Sequence, residues 1–124
     1  MTEYLAKSLE YEEKERICGQ NRKSYYKTDY DATAMCLKED YYSGLGSNMH
    51  AGYNTQISVS YGFVTCYYVS QSRNDVNDFV PLLTRFNQMY NTFPFSICAD
   101  AGYGSEVNYL FMKENNIKSF VKYV

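Results

Sequence analysis

The feature that most constrains this chain is an alternation of strand-like and helix-like segments between residues 53 and 121. Residues 53–60 alternate apolar and polar side chains, which is the period of two expected of a half-buried strand. Residues 63–70, with the sequence FVTCYYVS, are rich in β-forming side chains. The short connection Tyr61-Gly62 can supply a tight turn, so these two segments predict a β-hairpin.

A helical spacing of apolar residues follows the hairpin. We expect Asp78 to cap this helix, which runs to about Tyr90. Pro81 falls in its first turn, where the missing backbone N–H does no harm. The apolar residues predicted to form one buried stripe are Phe79, Leu82, Leu83, Phe86 and Met89.

The last part of the chain adds a strand, a helix and another strand. Residues 95–99 (FSICA) form a short apolar run that is typical of a strand buried on both faces. Ser105 is a good N-cap for the next helix, and residues 117–121 (IKSFV) predict the final strand. The order strand, strand, helix, strand, helix, strand predicts an α/β fold with a partly parallel sheet.

The N-terminal segment, residues 1–19, predicts an amphipathic helix over Thr2–Cys18 with Gly19 at its end. Its apolar stripe is thin and most of its surface is charged, so the helix needs a partner surface to stay folded.

Residues 20–51 show no clear period and are expected to form an irregular connection that contains the motif TDYDAT. A short helical turn is expected at residues 33–38. Residues 52–124 then make up the α/β domain.

The composition excludes several classes of protein. Hydrophobic residues make up 45% and charged residues 21%, which is typical of a globular chain and not of a disordered one. No apolar run is long enough to span a bilayer. Fifteen tyrosines could stack on nucleic-acid bases, but 12 basic and 14 acidic residues leave neither half of the chain basic. Composition alone therefore does not point to DNA.

Cysteine and histidine usage indicates a cytoplasmic chain with reduced thiols. The four cysteines form no Cys-x-x-Cys pair and there is one histidine, which argues against a zinc site or a disulfide framework. The N-terminus carries no apolar signal segment.

Asp100 is the strongest candidate for chemistry. It follows the apolar run at 95–99 and precedes a glycine-containing turn at 101–104. A carboxylate at the C-terminal end of a buried strand lies where α/β proteins place their ligands, and hard divalent cations prefer such oxygen ligands. The spacing supports equally well a second interpretation, in which Asp100 caps the turn behind it.

Other polar residues are weaker candidates. Asp29 and Asp31 stand two apart and could share a metal ion in an extended segment, but aspartates at this spacing more often form turns. His50 stands alone in a predicted loop. No cysteine has an obvious partner base for nucleophilic catalysis.

Three segments taken together resemble one family. They are KSYYKTDYDATAMCLKED at 23–40, AGYNTQISVS at 51–60 and ICADAGYGSEVNYLFMKENNIKSFVKY at 97–123. In this order they resemble the middle of a bacterial insertion-sequence transposase of the DDE type, over about residues 15–124. The departures from the family pattern, none of which is a motif acid, are Tyr26, Tyr30, Cys36 and Ala51.

This resemblance implies a ribonuclease-H-like fold that cuts and joins DNA. In such enzymes three acidic residues hold two Mg²⁺ or Mn²⁺ ions for an in-line phosphoryl transfer. Asp100 matches the second of these acids, so the resemblance makes it the expected catalytic and metal-binding residue. The implied partner is DNA at insertion-sequence ends, with full-length transposase or a second copy of the chain as further candidates, and no membrane.

The other two acids of the family set have no match in this sequence. Asp29, Asp31 and Glu106 are acidic, but the family pattern does not use them in catalysis. One aspartate cannot offset the charge of two divalent ions. We therefore expect a truncated transposase that is inactive alone, with an incomplete ribonuclease-H-like fold whose hairpin and 95–100 strand keep unpaired edges.

Two alternatives remain open at this point. The chain could be a non-catalytic regulatory module that binds DNA or full-length transposase, or a small α/β domain of unrelated function.

Overall fold

The computed structural model describes residues 2–20, 22–37, 40, 44 and 48–123. The chain divides into two compact units, Met1–Tyr53 and Asn54–Val124. The first unit contains a long N-terminal helix and a two-stranded sheet. The described part of the second unit contains two hairpin strands, two parallel strands, two α-helices and two short 3₁₀ helices.

Helix α1 of the first unit spans Thr2–Cys18, as the sequence predicts. It ends at Gly19, whose φ of 68° lies in the left-handed region and whose N–H donates to the Glu15 carbonyl at 2.9 Å. The side chains along the helix are mostly exposed. Ion pairs one helical turn apart, each of small energy, line its surface: Lys7–Glu3, Lys14–Glu10 and Arg16–Glu13.

Arg22 joins the end of α1 to the TDYDAT segment. Its guanidinium donates to backbone carbonyls on both sides, namely those of Ile17, Cys18, Tyr30, Asp31 and Ala32. One side chain therefore satisfies carbonyl groups at the helix end that have no partner within the helix.

Strands β1 (Thr33–Met35) and β2 (His50–Gly52) pair antiparallel. The predicted helical turn at 33–38 is therefore wrong, and the connection at 20–51 is not irregular throughout. Short-range propensity is weak, and hydrogen bonds to a distant segment override it here. The rest of that prediction falls partly outside the described residues, at 38–39, 41–43 and 45–47.

The second unit begins with the predicted hairpin. Strands β3 (Asn54–Ser60) and β4 (Phe63–Ser70) pair antiparallel. Tyr61 and Gly62 form the turn with φ values of 50° and 82°. Two successive positive φ angles match the twist of a tight hairpin, which confirms the turn predicted there.

Helix α2 (Phe79–Tyr90) covers one face of the hairpin. Cys66 is buried on that face, with its thiol 3.9 Å from the Leu82 carbonyl oxygen. The predicted buried stripe is correct at Phe79, Leu82 and Leu83, but Met89 is 54% exposed and Phe86 only half-buried. The fully buried stripe therefore ends at Leu83, although the Tyr90 hydroxyl in the last turn of α2 still donates to the Thr65 carbonyl of the hairpin at 2.9 Å.

The hairpin is half-buried as predicted, but the covered side of β3 is polar. Gln56 is 3% exposed, whereas Ile57 and Val59 are 56% and 61% exposed. The alternation of apolar and polar residues along β3 predicts two different faces of the strand. The position of the covering helix then decides which of these faces is buried.

Strands β5 (Ser96–Ala99) and β6 (Lys118–Val121) pair parallel, with helix α3 (Glu106–Glu114) between them along the chain. The predicted partly parallel pairing is confirmed. The prediction that β5 is buried on both faces is wrong, since Ser96 and Cys98 are exposed and alternate with partly buried Ile97 and Ala99.

A small core lies between the helices and the parallel strands. Its fully buried members are Phe79, Leu83, Met112 and Ile117. Partly buried side chains from β5 and β6, including Ile97, Ala99 and Val121, pack against it.

The described strands form three separate two-stranded sheets, β1–β2, β3–β4 and β5–β6. The mixed helix and strand content fits an α/β class. No strand in the described ranges hydrogen-bonds β3–β4 to β5–β6, so the hairpin and β5 keep the unpaired edges expected from the sequence. None of the described helices is long and apolar enough to cross a bilayer.

Candidate functional site

Asp100 lies immediately after β5 and begins the short 3₁₀ helix η2 (Ala101–Tyr103). Its backbone is extended, and its Oδ1 accepts a hydrogen bond from the Gly102 N–H at 2.8 Å. The side chain is exposed. Asp100 therefore ends a parallel strand, and its carboxylate also caps the turn that follows.

A second carboxylate lies beside the same turn. Asp75 begins the 3₁₀ helix η1 (Asp75–Asn77), which contacts η2. A Cβ placed on Gly102 would lie 3.0 Å from Asp100 Oδ1 and 3.8 Å from Asp75 Oδ2. The two carboxylates thus flank Gly102, and the absence of a side chain at this position leaves room for the Asp100 group.

Two amides hold the Asp75 carboxylate. Asn54 Nδ2 and Gln56 Nε2 each donate to Asp75 Oδ1 at 2.9 Å, and Gln56 Nε2 also lies 2.9 Å from Asn54 Oδ1. The Tyr103 hydroxyl donates to Gln56 Oε1. Side chains from β3, η1 and η2 are therefore linked by one set of hydrogen bonds.

The electrostatic environment keeps the Tyr103 hydroxyl protonated. Burial raises the pKa of Tyr103, and the negative charges of Asp75, Asp100 and Asp78 raise it further. A protonated hydroxyl is a donor, which agrees with its bond to the amide oxygen of Gln56.

Asp78 precedes α2 but does not cap it with its side chain, contrary to the sequence prediction. Its backbone carbonyl accepts from Leu82 N at 3.0 Å, while its carboxylate accepts from the Ser70 hydroxyl at 2.6 Å. The residue is 3% exposed, and burial raises the pKa of its carboxyl. The side chain faces the hairpin because a hydrogen-bond donor is available there.

Ser105 caps α3 as predicted, with its Oγ accepting from Asn108 N at 3.2 Å. Asn108 is 2% exposed, and its Nδ2 donates to the carbonyls of Val76 and Tyr103 at 3.0 and 2.8 Å. This buried amide ties η1 and η2 together from below the turn. Glu106, in the first turn of α3, is exposed.

The other acidic candidates of the sequence lie in the first unit and have a structural role. Asp29 Oδ1 accepts from the backbone N–H groups of Asp31 and Ala32 at 3.1 and 3.3 Å, and Oδ2 accepts from the Tyr53 hydroxyl at 2.8 Å. The bond from Tyr53 is the largest cause that lowers the pKa of Asp29. This geometry supports the turn interpretation of TDYDAT.

The sequence suggested that His50 stands alone in a loop, but the structure gives it a partner. It lies in β2, and its Nε2 is 2.7 Å from Asp40 Oδ2.

The described acids do not fit a two-metal site. No group of three or more His, Cys, Asp or Glu side chains within the described ranges is arranged to hold a metal ion. Asp100 and Asp75 flank one glycine, but two carboxylates do not offset four positive charges.

The roles of Gln56, Asp75 and Asn108 are not predicted from the sequence. One weak signal was present: Gln56 is a long amide inside a strand of β-forming residues, where a buried polar group needs specific partners. Asp75 sits in a polar loop segment, and no local pattern marks it.

Comparison with known families bears on this arrangement. A family model described as "Transposase DDE domain" matches residues 14–123, a range that includes Asp100 and the three motifs. Neither a search of curated proteins nor a search of solved structures finds a match. Since the family model covers most of the chain, the chain belongs to the transposase DDE domain family.

Proposed function

We propose that this chain is part of the catalytic domain of a DDE transposase and that Asp100 is one of its catalytic, metal-binding acids. Membership of the family supports a role in DNA transposition. The observation that carries the residue assignment is the place of Asp100, at the C-terminal end of parallel strand β5 and inside the matched region.

We also propose that residues 52–124 form a partial ribonuclease-H-like domain, preceded by the helix at 1–19 and the connection at 20–51. The order hairpin, helix, strand, helix, strand supports this assignment, as does the parallel pairing of β5 with β6. The open edges of β3–β4 and β5 fit a sheet that is incomplete within the described residues.

Members of this family typically use divalent metal ions, and the expected ions are Mg²⁺ or Mn²⁺. The described acids do not fit a two-ion site, so this chain alone is proposed not to cleave DNA. Cleavage then requires acids from outside the described residues. The proposed partner is DNA, and the proposed compartment is the cytoplasm.

The residue assignment is tested by Mn²⁺ titration of the ¹⁵N-labelled chain. Bound Mn²⁺ is expected to broaden the amide signals of Ala101 and Gly102 first, because they adjoin Asp100. Asp100→Asn is expected to remove this effect, whereas Glu114→Gln, at the far end of α3, is expected to keep it. Broadening that persists in Asp100→Asn would contradict the assignment.

The proposed inactivity has a separate test. Supercoiled plasmid incubated with the chain and Mg²⁺ or Mn²⁺ is expected to stay intact. Nicking that Asp100→Ala abolishes would show that the chain supplies a complete site.

A second candidate is a regulatory module that binds another transposase chain, and one surface favours it. We call this surface the hairpin apolar face; it consists of Ile57, Val59, Tyr67 and Val69, which are 48–61% exposed. Exposed apolar patches of this kind mark interaction sites. Co-purification with a full-length transposase, lost in Ile57→Lys, would support this candidate over the first.

A further inference from the structure

We propose that Tyr103 and Gln56 are positioning residues that fix the turn carrying Asp100 and so set the direction of its carboxylate. The inference rests on the proposed function of Asp100 and extends it to residues that are linked to Asp100 through the turn. It depends on one continuous set of hydrogen bonds between β3, η1 and η2.

The orientation of the Gln56 amide is the centre of this set. Because the Tyr103 hydroxyl donates to Oε1, the Nε2 group is directed to Asp75 Oδ1 and Asn54 Oδ1, both at 2.9 Å. Gln56 is 3% exposed, so water has little access to replace a lost partner.

Tyr103 is held at several points, and Asp100 is attached to it through the turn. Its ring packs on Phe79 with centroids 5.6 Å apart, and its carbonyl accepts from Asn108 Nδ2 at 2.8 Å. Its backbone N–H lies 3.3 Å from the Asp100 carbonyl oxygen, which closes the turn. A shift of Tyr103 is therefore passed directly to Asp100.

The other end of the set reaches the second carboxylate. Asp75 Oδ1 is occupied by the two amide donors, and Oδ2 lies on the side of Gly102. The bonds from Asn54 and Gln56 thus hold the Asp75 carboxylate, and the bond from Tyr103 ties the turn that carries Asp100 to the same Gln56 amide.

The Tyr103→Phe variant separates positioning from packing. It keeps the ring against Phe79 and removes only the hydroxyl, which leaves Gln56 Oε1 buried without its donor. The amide is then free to turn, and the link to Asp75 is weakened. Tyr109→Phe is the matched control, because the Tyr109 hydroxyl donates to the exposed Lys122 carbonyl at 3.0 Å.

The test uses NMR on the full chain in metal-free buffer. Two quantities are followed: the hydrogen-exchange rate of the Gly102 amide, which donates to Asp100, and the chemical shift of the Asp100 carboxyl carbon. Tyr103→Phe is expected to raise the exchange rate about fivefold, the effect of one typical hydrogen bond, and to move the carboxyl signal. Tyr109→Phe is expected to change neither quantity.

The Ile117 amide, which donates to the Met112 carbonyl in the core, reports global stability in the same spectra. An unchanged Gly102 amide, or equal acceleration of Gly102 and Ile117, would overturn the proposal. If Tyr103→Phe does not fold, Gln56→Glu takes its place, since it puts a carboxylate against Asp75 and should loosen the same turn.

Because the hydrogen-exchange test uses metal-free buffer and the test of the proposed function uses Mn²⁺, the two tests can fail independently. A local response at Gly102 together with failed Mn²⁺ broadening would remove the role of Asp100 and leave the network intact. The reverse pair of results would keep Asp100 as the acid and remove Tyr103 as its positioning residue.

Discussion

Asp78 is a carboxylate placed where its charged form is disfavoured. It is 3% exposed, and its carboxylate accepts a hydrogen bond from the Ser70 hydroxyl at 2.6 Å. Burial is the largest cause that raises the pKa of Asp78 above 3.8, and the nearby charge of Asp75 adds to it. The folded state therefore favours the protonated form more than the unfolded state does.

This predicts a defined pH dependence of stability. The contribution of Asp78 is fully present below pH 3.8 and is lost as the pH rises through the higher pKa of the folded state. Asp78→Asn cannot ionise, so its free energy of unfolding should gain on the wild type as the pH rises from about 4 to neutrality. Urea unfolding across this range measures the difference.

Ser70→Ala provides the opposite variant. It removes the larger of the hydrogen bonds that lower the pKa of Asp78, so its loss of stability with rising pH should be larger than that of the wild type and extend to a higher pH. Parallel pH profiles for all three proteins would contradict the assigned cause.

The space around Gly102 predicts the effect of adding a side chain at this position. An added Cβ would lie 3.0 Å from Asp100 Oδ1, so Gly102→Ala should displace this carboxylate by a few tenths of an ångström. The free energy of unfolding should change by no more than about 1 kcal/mol, because the carboxylate is a flexible group and Ala restricts the unfolded chain. A shifted Asp100 carboxyl signal with near-native stability is the expected NMR result, and an unmoved signal would contradict it.

Residues that obey local rules could be predicted from the sequence, and those that depend on distant partners could not. Ser105 precedes its helix by one position, and Asp100 follows an apolar run directly. Gln56, by contrast, acquires its role from Asp75, 19 residues away, and from Tyr103, 47 residues away. No short window of sequence contains these contacts.

At the scale of the elements, the core of the second unit is small and depends on few side chains. Met112 is 1% exposed and lies among Phe79, Leu83 and Ile117. Its helix, α3, has no other fully buried apolar residue among those described, so Met112 carries much of the packing of α3 on this core.

Met112→Ala is therefore expected to lower the free energy of unfolding by about 2–5 kcal/mol, through lost burial and a residual cavity. Met89→Ala is the matched control, since Met89 lies on a helix but is 54% exposed, and it should cost no more than about 0.5 kcal/mol. Equal losses in urea unfolding would show that the core is not centred on Met112.

The elements themselves differ in how well the sequence predicts them. The hairpin, α2, α3 and the parallel strands have clear periods or caps, and they form where expected. Strand β1 was missed because three residues carry no period, and its pairing partner β2 is distant in sequence. Neither the buried face of β3 nor the single buried face of β5 follows from the local sequence, because burial depends on which face a neighbouring element covers.

At the scale of the whole molecule, the main feature of the described residues is a set of unpaired strand edges and exposed apolar side chains. Three two-stranded sheets leave strand edges open, and the four residues of the hairpin apolar face stay 48–61% exposed, although the Arg85 guanidinium of α2 lies over the Tyr67 ring. Open edges and apolar patches both favour association with another chain. A charge placed on that face should therefore act on association more than on folding.

We expect the chain to self-associate through this face and Ile57→Lys to weaken the association. Ile57 is 56% exposed at the centre of the hairpin apolar face, opposite Tyr67 on β4, so a lysine there would have to be desolvated in any complex. Val107→Lys is the matched control, because Val107 is apolar and 69% exposed but lies on α3. Sedimentation velocity over a range of concentrations should show a smaller average mass for Ile57→Lys than for the wild type and Val107→Lys. A wild type that stays monomeric throughout, or equal effects of both lysines, would mean that this face does not drive association, and the regulatory candidate would lose the observation that favours it.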